Sequence, residues 1–170
     1  MARRPVTTTA QRTLTVRPAT VDDLAIVVAL RIALLREHGG NAVYRRLRPD
    51  AETRARELFR VQLQAEDQVT LLAERGTATV GILRCADTPG SPLLFPSRYG
   101  YVSSVYVIPE ARRTGVLRAL IAVAERWCAE RGLREIRLHN APENELSSGA
   151  WDALGFEIVE HLRLRPIAPR

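Results

Sequence analysis

Two arginines, a threonine and a glycine share one turn, Arg112-Arg113-Thr114-Gly115, between a β-branched run and a strongly periodic apolar segment. That order of residue types suits an anion. A strand ending at Ile108-Pro109 and a helix opening at Gly115 would leave the helix's first amides without carbonyl partners, which makes an anion site. The dipole alone favours an anion there by roughly 0.3–1 kcal/mol. Each hydrogen bond to a charged phosphate would add about 1.5–3 kcal/mol. Gly115 would let a ligand approach the backbone closely. The pattern is neither GxGxxG nor GxxxxGKS/T, so the dinucleotide and P-loop readings fail. An ordinary capped helix with a basic first turn is the alternative reading of the same residues.

The elements that must position this turn are legible from periodicity. Leu14–Arg17 reads as a strand. Thr20-Val21-Asp22-Asp23 caps a helix running to about His38, where Gly39-Gly40 stops it. A second helix runs from Pro49-Asp50 to about Glu66. Val69–Ala73 and Thr77–Arg84 form a hairpin around Glu74-Arg75-Gly76. Thr88–Ser97, with three prolines and a glycine, is a loop long enough to be functional. Tyr99–Ile108 is a strand, and period 2 sets Tyr99 and Tyr101 on one face with Tyr106 on the other. Gly115–Arg131 is a helix whose stripe is Val116, Leu120, Val123, Ala124 and Trp127. Arg134–Leu138 is a strand, Asn144–Leu154 a short helix, and Phe156–Leu164 a last strand. The order β-α-α-β-β-β-α-β-α-β predicts a mixed α/β fold: residues 1–12 a flexible tail, residues 13–170 one domain. The strands flanking the Gly115–Arg131 helix are parallel if the crossover is right-handed.

Composition sets the boundaries of function. The 170 residues are 46% hydrophobic, enough for a core, and no apolar run is long enough to span a membrane. The two early arginines have no apolar stretch behind them, so no signal peptide is read and a cytoplasmic location is expected. Cys85 and Cys128 lack metal-ligand spacing and read as buried thiols; no metal is expected. The net charge of +6 is carried entirely by arginine, since the chain contains no lysine. That excludes a Walker-type or Schiff-base lysine and favours phosphate recognition. The arginines are scattered over every helix, without an aromatic RNA-binding signature or zinc spacing, so nucleic acid is not the expected partner.

Arg112-Arg113-Thr114-Gly115-Val116-Leu117 resembles the motif Gln/Arg-x-x-Gly-x-Gly/Ala of the GCN5-related N-acetyltransferases, the GNAT superfamily. The preceding strand has the family's V-x-V-x-P form. LTVRPATVDDL resembles the family's opening strand and helix, and LHNAPENELSSGAWDALGF its closing segment. The likeness covers Leu14 to Leu164. It implies a GNAT-like fold: a mixed, mostly antiparallel sheet with a splayed parallel pair made by the fourth and fifth strands. It implies acetyl transfer from acetyl-CoA to a primary amine of a small molecule or protein, in a ternary complex. A non-catalytic acyl-CoA-binding or sensing module of the same fold is the alternative. Homodimerisation is left open.

The resemblance also assigns residues. The backbones of Val105 and Val107 would hold the pantetheine arm. The amides of Arg112, Arg113, Thr114, Gly115, Val116, Leu117 and Arg118 would hold the pyrophosphate. Asn144, with Ser147, would help hold the cosubstrate, and the Val107 amide would stabilise the developing oxyanion. Two residues depart from the pattern. Leu117 stands where the family has glycine or alanine. Trp151 stands where it has the tyrosine that protonates the leaving thiolate. Indole is no acid near neutral pH, so Trp151 is expected to pack on the pantetheine arm or in the core. A thiolate with an ordinary pKa near 8.5 leaves without such help at modest cost. The amine needs a base, for which His139, or Ser103 through a water, is the candidate. Glu37 and His38 are expected to line the acceptor pocket.

Overall fold

The computed structural model describes residues 13–141 and 144–167. The expected tail, residues 1–12, lies outside the described residues. The chain divides into two compact units, one running to His139 and one beginning at Asn140.

The first unit is built on a five-stranded sheet in sequential order: β1 (Leu14–Pro18), β2 (Gln68–Arg75), β3 (Ala78–Pro89), β4 (Arg98–Val107) and β5 (Ile136–Leu138). All neighbours are antiparallel except β4 and β5, which run parallel as the crossover rule predicts. The crossover is α3 (Val116–Glu130). Its apolar stripe seats Val116, Leu120, Ile121, Ala124 and Cys128 against one face of the sheet. The other face is covered by α1 (Leu24–Glu37) and α2 (Ala51–Gln62). Val27, Val28, Leu30 and Ile32 of α1 and Phe59 of α2 form one cluster with Leu72, Ile82 and Tyr106 of the sheet.

Local chemistry fixes how α1 enters. A 3-10 turn, Val21–Asp23, precedes it. The Asp23 carboxylate accepts from the Thr20 amide at 2.8 Å and takes both forks of Arg17, at 2.7 and 2.8 Å; Arg17 also reaches Glu74 on β2. The Arg17 hydrogen bonds hold the Asp23 carboxyl well below the usual carboxylate range. A depressed folded-state pKa contributes stability that is present above the unfolded value near 3.9 and is lost as pH falls below it.

On the α3 face the sheet must approach the helix closely. Gly100 on β4 has no room for a side chain: an added Cβ would stand 2.5 Å from Cys128 Sγ and 3.3 Å from Cys85 Sγ. The two sulfurs are 3.6 Å apart and buried, both as free thiols. Their hydrogen bond, with burial, holds the Cys85 thiol far above its usual range.

Several sequence expectations are corrected. Helix α2 ends at Gln62, short of Glu66, because the Gln64 amide bonds to Val61 O and closes the last turn. Strand β5 starts at Ile136, two residues later than expected. Tyr106 does not point away from Tyr101. β4 advances from Ser103 to Tyr106 while β3 advances only from Arg84 to Ile82, so β4 bulges and alternation is reset. Tyr106 therefore returns to the α1 face, where it joins that cluster.

In the second unit, α4 (Glu145–Asp152) is capped by Asn144, whose side chain accepts from the Ser147 amide at 3.0 Å. The expected strand Phe156–Leu164 is absent, since the described residues of that unit hold no strand to complete its ladder. Ile158, Val159 and Leu162 are exposed along it.

Gly100→Ala should lower stability by about 1–3 kcal/mol through overpacking, measured as a shifted urea midpoint. Cys128→Ala in the same chain should recover part of that loss. Asp23→Asn should lower stability at neutral pH and flatten its decline between about pH 5 and 2, followed by acid titration of circular dichroism.

Candidate active site

Strand β4 pairs with β5 only from Gly100 to Val102, opposite Ile136 to Leu138. Among the described residues, no strand pairs with β4 on its β5 side beyond Val102, which leaves the edge from Ser103 to Val107 without a ladder partner there. Ser104, inside the bulge, is held at φ 54°, in the left-handed region that disfavours a side chain. No signal in the sequence marks Ser104.

The chain then enters the turn. A 3-10 turn, Pro109–Ala111, is followed by Arg113 at φ 60° and Gly115 at φ 86°. Two left-handed residues so close together turn successive N–H groups toward one side. No carbonyl among the described residues accepts from the amides of Arg113 to Arg118; the first helical bond of α3 is Ala119 N–H to Gly115 O. Six consecutive amides are thus free at the head of a helix whose dipole favours an anion. Arg113, Thr114, Gly115 and Arg118 are exposed, Val116 is buried, and Leu117 is half-buried.

Side chains hold this turn from three directions. The Thr114 hydroxyl donates to Ala111 O at 2.6 Å, and Arg75 donates to Thr114 O and Oγ1 at 3.0 and 2.7 Å. Arg112 donates to Val107 O at 3.0 Å and forks onto Glu37 at 2.8 and 2.6 Å. One expectation is corrected. Arg112 supports the turn and its amide already donates to Pro109 O, so the free amides begin at Arg113. Glu37 is tied to Arg112 and is no longer a free carboxylate for an acceptor.

Beside the last β4–β5 pairs, Tyr101 and His139 meet, Oη to Nδ1 at 2.8 Å with the rings edge to face. Burial raises the Tyr101 pKa, so the phenol stays protonated, and it donates to His139 Nδ1 when the imidazole carries its proton on Nε2. Ser103 accepts from Arg84 at 3.1 Å. His38 lies against Tyr44, ring centroids 5.7 Å apart.

In the second unit the assigned residues serve local structure. Asn144 caps α4. Trp151 is 7% exposed, donates its indole N–H to Ser147 Oγ at 3.0 Å and meets Phe156 edge-on. Trp151 is thus buried, with its indole N–H engaged and its ring packed on Phe156.

A parallel strand pair that parts close to a helix-head amide nest suits a long ligand with an anionic head. The comparisons with known proteins agree. Residues 40–156 match the family model described as Acetyltransferase (GNAT) family, and the chain belongs to that family. An aminoglycoside N(6')-acetyltransferase type 1 from Salmonella typhimurium is 37% identical over 62 residues, 36% of this chain and 43% of that protein, so the match spans less than half of the relative's length. The protein of the same name from Stenotrophomonas maltophilia is 29% identical over 155 residues, 87% of this chain and 89% of its own. A predicted acetyltransferase from Clostridium acetobutylicum, crystallised with acetyl-CoA, superposes with TM-score 0.74 at 21% identity, covering 90% of this chain and 96% of its own. Among the described residues, no helix is long and apolar enough to cross a membrane.

Gly115→Val should be destabilising by about 1–2 kcal/mol, measured by urea denaturation, because its cost is backbone strain and not a clash. Ser104→Gly should relieve strain and raise the thermal midpoint slightly, read by calorimetry.

Proposed function

We propose that the chain transfers the acetyl group of acetyl-CoA to a primary amine by direct attack within a ternary complex. The observation that carries this reading is the run of free amides from Arg113 to Arg118 beside the unpaired edge of β4. Acetyl-CoA, when bound, supplies an activated thioester. The amides of Arg113 to Arg118 bind and orient its pyrophosphate. The backbone of Val105 and Val107 aligns the pantetheine arm, and the Val107 amide faces the oxygen on which charge develops. Tyr101 and His139 remove the amine proton: the Tyr101 hydroxyl takes it and passes its own to His139 Nδ1. Ser103 is the second candidate for this role, through a water.

The non-catalytic acyl-CoA module remains the second reading, and one observation favours it. Trp151 holds no acid, and its N–H is engaged by Ser147. Residues 13–170 act as one domain in this proposal, a cytoplasmic one, supported by a family match that runs through both units. A second copy of the chain is the proposed cover for the exposed apolar segment around Ile158 and Leu162, testable by sedimentation equilibrium.

Calorimetry with acetyl-CoA and a thiol-release assay against a broad amine panel separate the readings. The transferase reading expects binding and turnover; binding without turnover establishes the sensing module. His139→Ala and Tyr101→Phe should each lower kcat by at least about tenfold, with the KM for acetyl-CoA unchanged. The double variant should be no worse than the poorer single one, because the two act as one relay.

A further inference from the structure

One feature of the α1 face is explained neither by packing nor by the acetyl-CoA site. Within Leu24–Leu35 of α1 every residue is apolar except Arg31. It is half-buried, and burial lowers its pKa. Among the described residues it makes no hydrogen bond or salt bridge. A half-buried guanidinium without a carboxylate gains nothing from its apolar neighbours and is left to water or to a bound anion.

Arg84 on β3 is in the same position. It too is half-buried with a pKa lowered by burial. Its Nε donates to Gln68 Oε1 at 2.6 Å and one Nη to Ser103 Oγ at 3.1 Å, both neutral acceptors. The other Nη has no acceptor among the described residues. Asp67 is near enough to favour its charge but forms no salt bridge with it. Directly across the ladder from Arg84 is Thr70, 4% exposed, whose hydroxyl oxygen has no partner. Arg31 lies within electrostatic reach of Arg84, Tyr44 and Tyr101, and Tyr101 within reach of both arginines. Tyr101 joins this group to His139. Arg137 stacks on Tyr99 at the same end of β4 but is paired with Glu135.

Resting on the transferase reading, we infer that the acceptor amine carries an anionic group, a carboxylate or a phosphate, which docks between Arg31 and Arg84 beside Tyr101 and Ser103. Arg84, fixed by Gln68 and Ser103, aims its free Nη; Arg31 supplies the second fork. A polycationic acceptor, such as an aminoglycoside, would meet like charge where these two guanidinium groups stand, and like charge suppresses wrong partners.

The test is a thiol-release assay with acetyl-CoA fixed and acceptors in matched pairs: ω-amino acids against their amides, aminoalkyl phosphates against amino alcohols, and an aminoglycoside as the cationic extreme. An anion-bearing amine should exceed its neutral partner and the aminoglycoside by at least about tenfold in kcat/KM, the scale of one charge-assisted bond. The two pairs tell carboxylate from phosphate. Arg84→Gln and Arg31→Gln should each erase most of that preference through the acceptor's KM, leaving the KM for acetyl-CoA unchanged. Both variants should melt no lower than the parent, since each removes an uncompensated charge, so lost preference is not lost folding. Preference for the neutral or cationic member, or a preference surviving both substitutions, overturns the inference. If acetyl-CoA binds but no amine reacts, titration of the same pairs into the CoA-loaded protein decides, and equal affinities within each pair overturn it. If acetyl-CoA itself fails to bind, the transferase reading falls. The arginine pair is then judged by titrating the same pairs into the protein alone.

Discussion

Between Arg84 and Ile82, β3 advances two residues while β4, opposite, advances three, from Ser103 to Tyr106. Ser104 is held left-handed within that extra length. The surplus residue resets which side chains face α1, so Tyr106 completes the core under that helix while Ser103 stays beside Arg84. Pairing with β5 ends at Val102, just before the bulge. The distortion and the gap therefore coincide, and bulges commonly end pairing and re-aim side chains in this way.

The amide turn from Arg113 to Arg118 depends on that same exit from β4. The chain leaves at Ile108, turns through Pro109–Ala111 and reaches Gly115 with its amides free. An amide nest of this kind binds by geometry and not by side-chain identity, so its positions tolerate substitution provided the dihedral angles survive. Leu117, where the family motif has a smaller residue, is one such position: its amide is free while its side chain is half-buried. The strict requirement is the φ of Gly115, together with the struts from Thr114, Arg75 and Arg112.

The parts of the molecule visible in the sequence are those governed by local rules. The cap at Thr20, the stripe of α3, the hairpin and the Gly115 turn all follow from period and propensity, and each stands near its expected bounds. The misses are long-range. Ser104 is an ordinary residue type whose conformation is imposed by strand pairing. Glu37 meets Arg112 across 75 residues, so neither can be read as paired. Phe156–Leu164 has strand-like alternation, yet alternation describes a preference and cannot supply a neighbour to pair with. Trp151 marks a departure from the family pattern, but its partner is Ser147, one helical turn away, which the resemblance assigns to the cosubstrate. Arg31 is detectable in principle, as the only charge in a twelve-residue apolar run.

The clasp of Arg112 on Glu37 has a mechanical consequence. Glu37 is the last residue of α1, and Arg31 is on the same helix six residues earlier, about 9 Å along its axis. One helix thus ends in a salt bridge to the Arg112 turn and carries Arg31 further back along its length, so a displacement of that turn would load α1 through Glu37.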